Sequence, residues 1–283
     1  MPARYTFRLM PVDVSAEVLA NRHLAPDYNV VELAAPAIAA QAAPGQFVMI
    51  RTAAGLDPLL RRPFSIFEHL RDSHGALLGI SVLNKRVGAG TARLYEARPG
   101  DRLSVLGPLG QPFEPVHPPN EAWMVAGGVG LAPFASLAEA LARNGTSMTL
   151  FYGGRAARDI YYEDFFTRLG TRLILTTEDG SRGEAGRVTA PLARALAAHR
   201  NSPVTLYACG PTPMMRAVAD LGAAAGRTVH VSLEPIMGCG MGGCYSCVVP
   251  VRQGTGSHFV RSCIEGPVFE ASTLDWNRMG SGH

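Results

Sequence analysis

Residues 237–247 read Met-Gly-Cys239-Gly240-Met-Gly242-Gly243-Cys244-Tyr-Ser-Cys247, and Cys263 follows after fifteen intervening residues. Only 5 cysteines occur in 283 residues, and this tail holds all of them but Cys209. C-x4-C-x2-C with a distant fourth cysteine is the plant-type spacing for a [2Fe-2S] cluster. The chemistry explains the spacing, because four thiolates must converge on two sulfide-bridged irons while the chain wraps closely around them. Gly238, Gly240, Gly242 and Gly243 permit such a wrap and leave bare N–H groups free to meet sulfur. A structural zinc site is the competing reading. Zinc sites usually pair two short C-x2-C knuckles, however, and this chain has one.

Upstream of the cysteines the pattern is strand–helix alternation. Candidate strands lie at Ala122–Ala126, Met148–Tyr152, Arg172–Thr176, Val204–Ala208 and Thr228–Leu233, with helices such as Ala132–Arg143 and Pro213–Ala225 between them. Alternation of this kind predicts a parallel sheet with helices on both faces. The first strand runs into Gly127-Gly128-Val129-Gly130-Leu131-Ala132-Pro133, which sets open backbone and a positive helix end at the sheet's carboxyl edge, a seat for pyrophosphate. The usual dinucleotide fingerprint fails, since Pro133 stands at the third glycine position and the second strand closes on Tyr152-Gly153-Gly154-Arg155 with no acid. A purely structural turn competes with the nucleotide reading at this point. Two further loops, Thr176 to Ser181 and Cys209-Gly210-Pro211, end strands at the same edge, and together the three predict a crevice. Cys209 also reads as an ordinary buried thiol.

From Tyr5 to about Gly107, runs rich in Val, Ile, Phe and Thr alternate with turn residues: Tyr28–Leu33, Phe47–Thr52, Leu78–Leu83 and Arg102–Leu106. This predicts a small antiparallel barrel. Pro112, Pro115, Pro118 and Pro119 mark a linker after it. Within the barrel region, Arg61-Arg62-Pro63-Phe64-Ser65-Ile66 sets a guanidinium and a hydroxyl three residues apart in an extended segment, suited to a phosphate and a ring nitrogen. A solvated strand end is the bland alternative. Leu83-Asn84-Lys85 leads to an open-backbone loop, Val87-Gly88-Ala89-Gly90-Thr91. Lys85 is the sole lysine among 26 basic residues.

The fold class expected is therefore multidomain α+β, comprising an antiparallel β-barrel, an α/β parallel-sheet nucleotide domain and a small C-terminal cluster segment. The expected boundaries are 1–115, 116–230 and 231–283. A formal charge of +3 gives little electrostatic reason to expect nucleic acid, although a pI of 8.7 is mildly basic. No stretch approaches the roughly 20 apolar residues of a membrane span. Met1–Met10 shows no secretion signal, so a cytoplasmic location is expected. Gly280–His283 reads as an unstructured tail.

Taken in order, these motifs resemble the ferredoxin reductase family, and within it the electron-transfer subunits of heteromeric dihydroorotate dehydrogenases. The resemblance runs from about Tyr28 to Trp276. It rests on R-R-P-F-S-I at 61–66, G-P-L-G at 107–110, G-G-V-G-L-A-P at 127–133 and the cysteine segment. It implies that the R-x-x-S match Arg62, Pro63, Phe64 and Ser65 binds FAD, with Arg62 at the pyrophosphate and Ser65 near flavin N5. Leu83, Asn84, Lys85, Gly90 and Thr91 would complete that site. Phe64 stands where the wider family often has tyrosine, so a hydroxyl contact is lost there.

For NAD, the resemblance implies Gly128, Gly130 and Pro133, with Cys209, Gly210 and Pro211 shaping the contact between nicotinamide and flavin. Ser65 and Cys209 are the expected catalytic residues, and Cys239, Cys244, Cys247 and Cys263 the cluster ligands. In the resembled complex, electrons leave dihydroorotate through FMN on a separate catalytic subunit, cross the cluster, reach FAD and reduce NAD. An obligate partner and a hetero-oligomer, a heterotetramer, follow, with a place in pyrimidine biosynthesis.

The rival expectation is the small subunit of an NAD(P)H-ferredoxin or sulfide-type oxidoreductase. A non-catalytic, zinc-bearing nucleotide sensor is the alternative from another class. The choice between NAD and NADP stays open on residues alone, since Arg155 and Arg158 suit a 2′-phosphate and Asp159 suits a ribose hydroxyl. The family resemblance favours NAD.

Overall fold

The computed structural model describes residues 10–52, 55, 57–254 and 256–280. Apart from Met10 and Gly280, the two terminal segments read above lie outside the described residues.

Six strands, β1 (Val12–Ala25), β2 (Tyr28–Leu33), β3 (Phe47–Arg51), β4 (Arg62–Arg71), β5 (Leu77–Lys85) and β6 (Arg102–Leu109), close into an antiparallel barrel of order β1-β2-β5-β4-β3-β6. Every second residue of these strands turns inward, so Val18, Val31, Ile50, Ile66, Val82 and Val105 fill the interior. A short helix α1 (Pro36–Ala39) follows β2, and α2 (Ala89–Glu96) joins β5 to β6. The loop expected at Val87 to Thr91 is helical from Ala89 onward. Thr91 Oγ1 accepts hydrogen bonds from Val87 N at 2.8 Å and Gly88 N at 3.0 Å, which caps the first turn.

After the proline-marked linker the chain builds β7 (Glu121–Gly127), α3 (Phe134–Arg143), β8 (Met148–Gly154), α4 (Glu163–Arg168), β9 (Arg172–Thr177), β10 (Glu184–Ala185), α5 (Thr189–Ala198), β11 (Val204–Cys209), α6 (Thr212–Ala224) and β12 (Val229–Ser232). The tail adds β13 (Val248–Gln253), β14 (Gly256–Arg261), α7 (Ser262–Glu265) and β15 (Val268–Glu270). The sheet order is β10-β9-β8-β7-β11-β12-β15, parallel except for β15, which pairs antiparallel with β12. The tail segment Gly266 to Phe269 thus reaches the edge of the nucleotide sheet, and β12 runs across residue 230. The strand β7 shows why helices cover both faces. Ala122, Met124 and Ala126 pack toward α3, whereas Trp123 and Val125 pack toward α5 and α6.

The barrel and the sheet share one apolar cluster. Tyr28, Val30, Phe67 and Leu83 of the barrel pack with Phe134, Tyr152 and Tyr161. Among the described residues no helix is long and apolar enough to cross a membrane.

Candidate active site

The cysteine loop folds back on itself against the barrel. Cys239 Sγ accepts hydrogen bonds from Met241 N at 3.4 Å and Gly243 N at 3.3 Å. Gly240 has φ +72°, and a Cβ there would lie 2.5 Å from Met49 Cγ, so both handedness and space demand glycine. Cys247 and Cys263 are buried in a cluster with Phe47 and Met49 of β3 and Leu106 and Leu109 of β6. The four thiols come within electrostatic reach of one another: Cys244 feels Cys239, and Cys263 feels both Cys247 and Cys239.

Two electrostatic settings coexist in this loop. The Ser246 hydroxyl, 3.1 Å from Cys244 Sγ, pulls that exposed thiol down to about 6. Burial beside Cys247 pushes Cys263 up to about 12. The N–H groups aimed at Cys239 suit a thiolate, and four cysteines held in one loop and its neighbouring helix suit the ligation of an iron–sulfur cluster.

The segment expected to hold flavin lies one strand away. In the β3/β4 register Phe47 pairs with Ser65, Met49 with Pro63 and Ile50 with Arg62. Directly paired residues share a face of the sheet, so Ser65 and Phe47 project to the same side. Phe64 faces the other way, into the barrel core. Arg62 Nη1 donates to Leu60 O at 2.8 Å, which leaves Nε and Nη2 without a hydrogen-bond partner among the described residues. The guanidinium stem lies against Gly90 at the start of α2, where a Cβ would be 3.2 Å from Arg62 Cγ and 3.5 Å from Thr52 Oγ1. Thr52 Oγ1 is itself buried and unpartnered. A helix start, an arginine with free donors and an orphaned hydroxyl fit a phosphate.

Asn84 spends its amide on Asn29 Oδ1 at 2.7 Å and Thr91 O at 3.0 Å, so its side chain anchors α2. Lys85 Nζ lies 5.0 Å above the Tyr28 ring.

At the sheet edge two loops pack directly together. A Cβ on Gly130 would lie 2.3 Å from Cys209 O and 2.7 Å from Gly210 Cα, so only glycine lets the loops approach. Gly128 has nothing closer than Tyr28 Oη at 3.9 Å from its Cβ position, so its backbone stays open toward the barrel. Pro133 immediately precedes α3. Cys209 is fully buried, and burial holds its thiol well above the ordinary range. It donates to Glu234 Oε1 at 3.6 Å. Glu234 is exposed as a residue, yet desolvation of its carboxyl beside the buried Cys209 thiol raises it.

The structure therefore brings Leu83 to Lys85 beside Gly128, and Gly130 beside Cys209 and Gly210. It removes Asp159 from the candidates for a ribose contact. That carboxylate is buried and accepts from Arg155 N at 3.1 Å, Ala156 N at 3.2 Å and Tyr28 Oη at 3.0 Å. Residue reasoning missed Glu234, although an acid directly following a parallel strand is a detectable signal. It also missed Ser246, inside the C-x2-C knuckle, and Tyr28, for which no local pattern exists.

Nicotinamide chemistry at one sheet edge, beside a set of one-electron ligands, places the chain among the iron–sulfur flavoprotein reductases. Residues 124–220 match the oxidoreductase NAD-binding domain, and residues 234–275 match the iron-sulfur cluster binding domain of dihydroorotate dehydrogenase B. Similarity to the dihydroorotate dehydrogenase B (NAD(+)) electron transfer subunit of Desulforamulus reducens is 38% identity, covering 92% of this chain and 97% of that one. The subunit of the same description from Geobacillus kaustophilus is 40% identical, over 82% and 86%. The chain belongs to the family of dihydroorotate dehydrogenase B electron transfer subunits. Among solved structures, an NADH-dependent reduced ferredoxin-NADP oxidoreductase superimposes with TM-score 0.79 at 29% identity, covering 93% of this chain and 91% of that one. The ferredoxin reductase of carbazole 1,9a-dioxygenase, at TM-score 0.66 and 24% identity over 82% and 70%, shares the fold.

Proposed function

We propose that this chain is the electron-transfer subunit of a cytoplasmic, NAD-dependent dihydroorotate dehydrogenase. It links an FMN-containing catalytic subunit to NAD through a [2Fe-2S] cluster and FAD, and never touches dihydroorotate itself. When bound, the flavin exchanges a hydride with nicotinamide and single electrons with the cluster, the conversion that joins the two carriers.

The observation that carries this reading is the β3/β4 register. Cys247 and Cys263 pack on Phe47 and Met49, and those residues pair with Ser65 and Pro63. One strand spacing, about 4.8 Å, separates the backbone under the cysteines from the backbone of the flavin segment. In this proposal Arg62 and the start of α2 hold the pyrophosphate, with Pro63, Leu83, Lys85, Gly90 and Thr91 building the seat, Asn84 anchoring α2 behind it and Phe64 contributing its backbone only. Ser65 faces the reacting ring. Gly128, Gly130, Pro133, Gly210 and Pro211 hold the nicotinamide nucleotide, and Cys209 with Glu234 lines its reacting end. Cys239, Cys244, Cys247 and Cys263 ligate the irons. Residues 1–115, 116–230 and 231–283 are the proposed working units, although β15 ties the third to the second.

Reconstitution tests the whole assignment. Purified chain should show flavin and iron–sulfur absorbance together with a rhombic paramagnetic signal after reduction. Mixed with an FMN-containing catalytic subunit, it should support dihydroorotate-dependent NAD reduction. Colourless protein, or a complex that reduces no NAD, refutes it.

A further inference from the structure

The turn between the second and third cysteines of the tail carries a backbone outlier. Tyr245 has φ +59°, a left-handed conformation that a bulky side chain rarely adopts. Arg261, the last residue of β14, holds this turn from two sides. Its guanidinium lies 5.1 Å over the Tyr245 ring, and its Nη1 donates to Gly242 O at 3.0 Å. The consequence falls on the next residue, because Ser246 is turned back toward Cys244 with its Oγ 3.1 Å from Cys244 Sγ. Gly238 N donates to the same Oγ at 2.8 Å. A Cβ on Gly238 would lie 3.1 Å from Cys244 Sγ and 3.4 Å from Ser246 Oγ, so the glycine lets its backbone come close to both atoms.

A free thiol and a hydroxyl can each donate to the other, but a sulfur bound to iron carries no proton. In the ligated state Ser246 is therefore the donor. The Gly238 N–H occupies a lone pair of the hydroxyl and leaves its proton for the sulfur. Cys239, by contrast, takes its hydrogen bonds from the backbone at Met241 and Gly243, which almost any residue can supply. Cys247 and Cys263 sit among apolar side chains. One-electron reduction adds negative charge to a cluster and its sulfurs, so a hydroxyl donor stabilises the reduced state more than the oxidised one.

We propose that the Ser246 hydroxyl donates to the iron-bound thiolate of Cys244 and raises the reduction potential of the cluster, so that it accepts electrons from the catalytic subunit more readily. Ser246 acts through Cys244 and is a positioning residue. The inference rests on the [2Fe-2S] reading above and deepens it, since it assigns a determinant of the potential to a side chain that binds neither iron nor flavin.

Redox titration of the full-length holoprotein, followed by the paramagnetic signal of the reduced cluster, tests the proposal without turnover. Ser246→Ala should hold iron and FAD at wild-type levels and move the cluster midpoint to lower potential. The expected change is about tenfold in the reduction equilibrium, which is about 59 mV for one electron. Ser246→Thr, which keeps the hydroxyl, should return the midpoint toward the wild-type value, a rescue that a packing role would not produce. Ser246→Gly repeats the deletion without a methyl and should match Ser246→Ala. A midpoint that stays in place or rises in the deletion variants, a Ser246→Thr midpoint equal to that of Ser246→Ala, or loss of the cluster from both deletion variants would each overturn the assignment while leaving the cluster itself intact in the wild type. Wild-type protein that takes up no iron on anaerobic reconstitution, or that holds zinc, would sink the cluster reading.

Discussion

The Tyr28 hydroxyl of the barrel donates to Asp159 Oδ1 at 3.0 Å in the loop after β8, joining the two units that must hold flavin and nicotinamide in register. Asp159 also accepts two backbone N–H bonds from that loop, so one carboxylate fixes the loop's shape and its distance from the barrel. Tyr28 lies next to Gly128 and beneath Lys85, which puts this link at the junction of both expected cofactor segments.

Tyr28→Phe keeps the ring and removes the link. A hydrogen bond to a carboxylate contributes about 2 kcal/mol. Unfolding in urea should shift by about that amount, and the KM for NADH should rise severalfold at unchanged FAD and iron content. An unchanged KM would mean that the contact only holds the fold together.

Cys244→Ser removes the exposed thiol that is proposed to ligate iron. The [2Fe-2S] absorbance should disappear and transfer to the catalytic subunit should stop, whereas NADH-to-dye reduction through FAD should persist. Partner-linked activity at wild-type rate would place the electron route elsewhere.

Arg62→Ala deletes the guanidinium beside Gly90. Charge-assisted bonds to phosphate are among the stronger ones, so FAD affinity should fall by about tenfold or more. Gel filtration followed by a flavin-to-protein ratio measures this directly.

Gly130→Ala forces a methyl to within 2.3 Å of the Cys209 carbonyl. Overpacking against backbone costs about 1–3 kcal/mol and displaces the two loops from each other. Thermal unfolding should occur at lower temperature, with NADH binding more impaired than FAD binding.

Burial lowers the pKa of His69, whose Nε2 lies 3.3 Å from Ala42 O. The folded state therefore resists protonation that the unfolded chain accepts below the ordinary imidazole value of about 6.5. Stability contributed by the neutral ring should be complete above that value and decline as pH falls through it. His69→Gln should flatten the dependence of urea midpoints on pH between about 7 and 5.

The strand positions show what local pattern can carry. Tyr28–Leu33 agrees residue for residue with β2, and the five strands expected after the linker all appear within one or two residues of their ends. Period-two alternation and strand–helix alternation record burial, which the sequence must encode at each position. The strand β1 escaped because only Ala16 and Val18 are fully buried along its fourteen residues, so its apolar face is thin.

The cysteine spacing alone pointed to a two-iron centre, because ligand chemistry constrains how far apart along a wrapped chain the thiols stand. The glycine loops together suggested a nucleotide crevice at the sheet's edge, although each alone also read as a structural turn, and it was the match of residues 124–220 to an NAD-binding domain that supported the nucleotide reading. Tertiary structure decided everything that depends on residues distant in sequence. It set Cys247 and Cys263 against β3, brought Glu234 to Cys209, and used Asp159 for Tyr28 where sequence offered a ribose contact. It also left Thr52 with an unmet hydroxyl. Such relations arise from packing of surfaces distant in sequence, 25 residues apart for Cys209 and Glu234 and 131 for Tyr28 and Asp159, and no local periodicity records which side chain a fold will consume and which it will leave free.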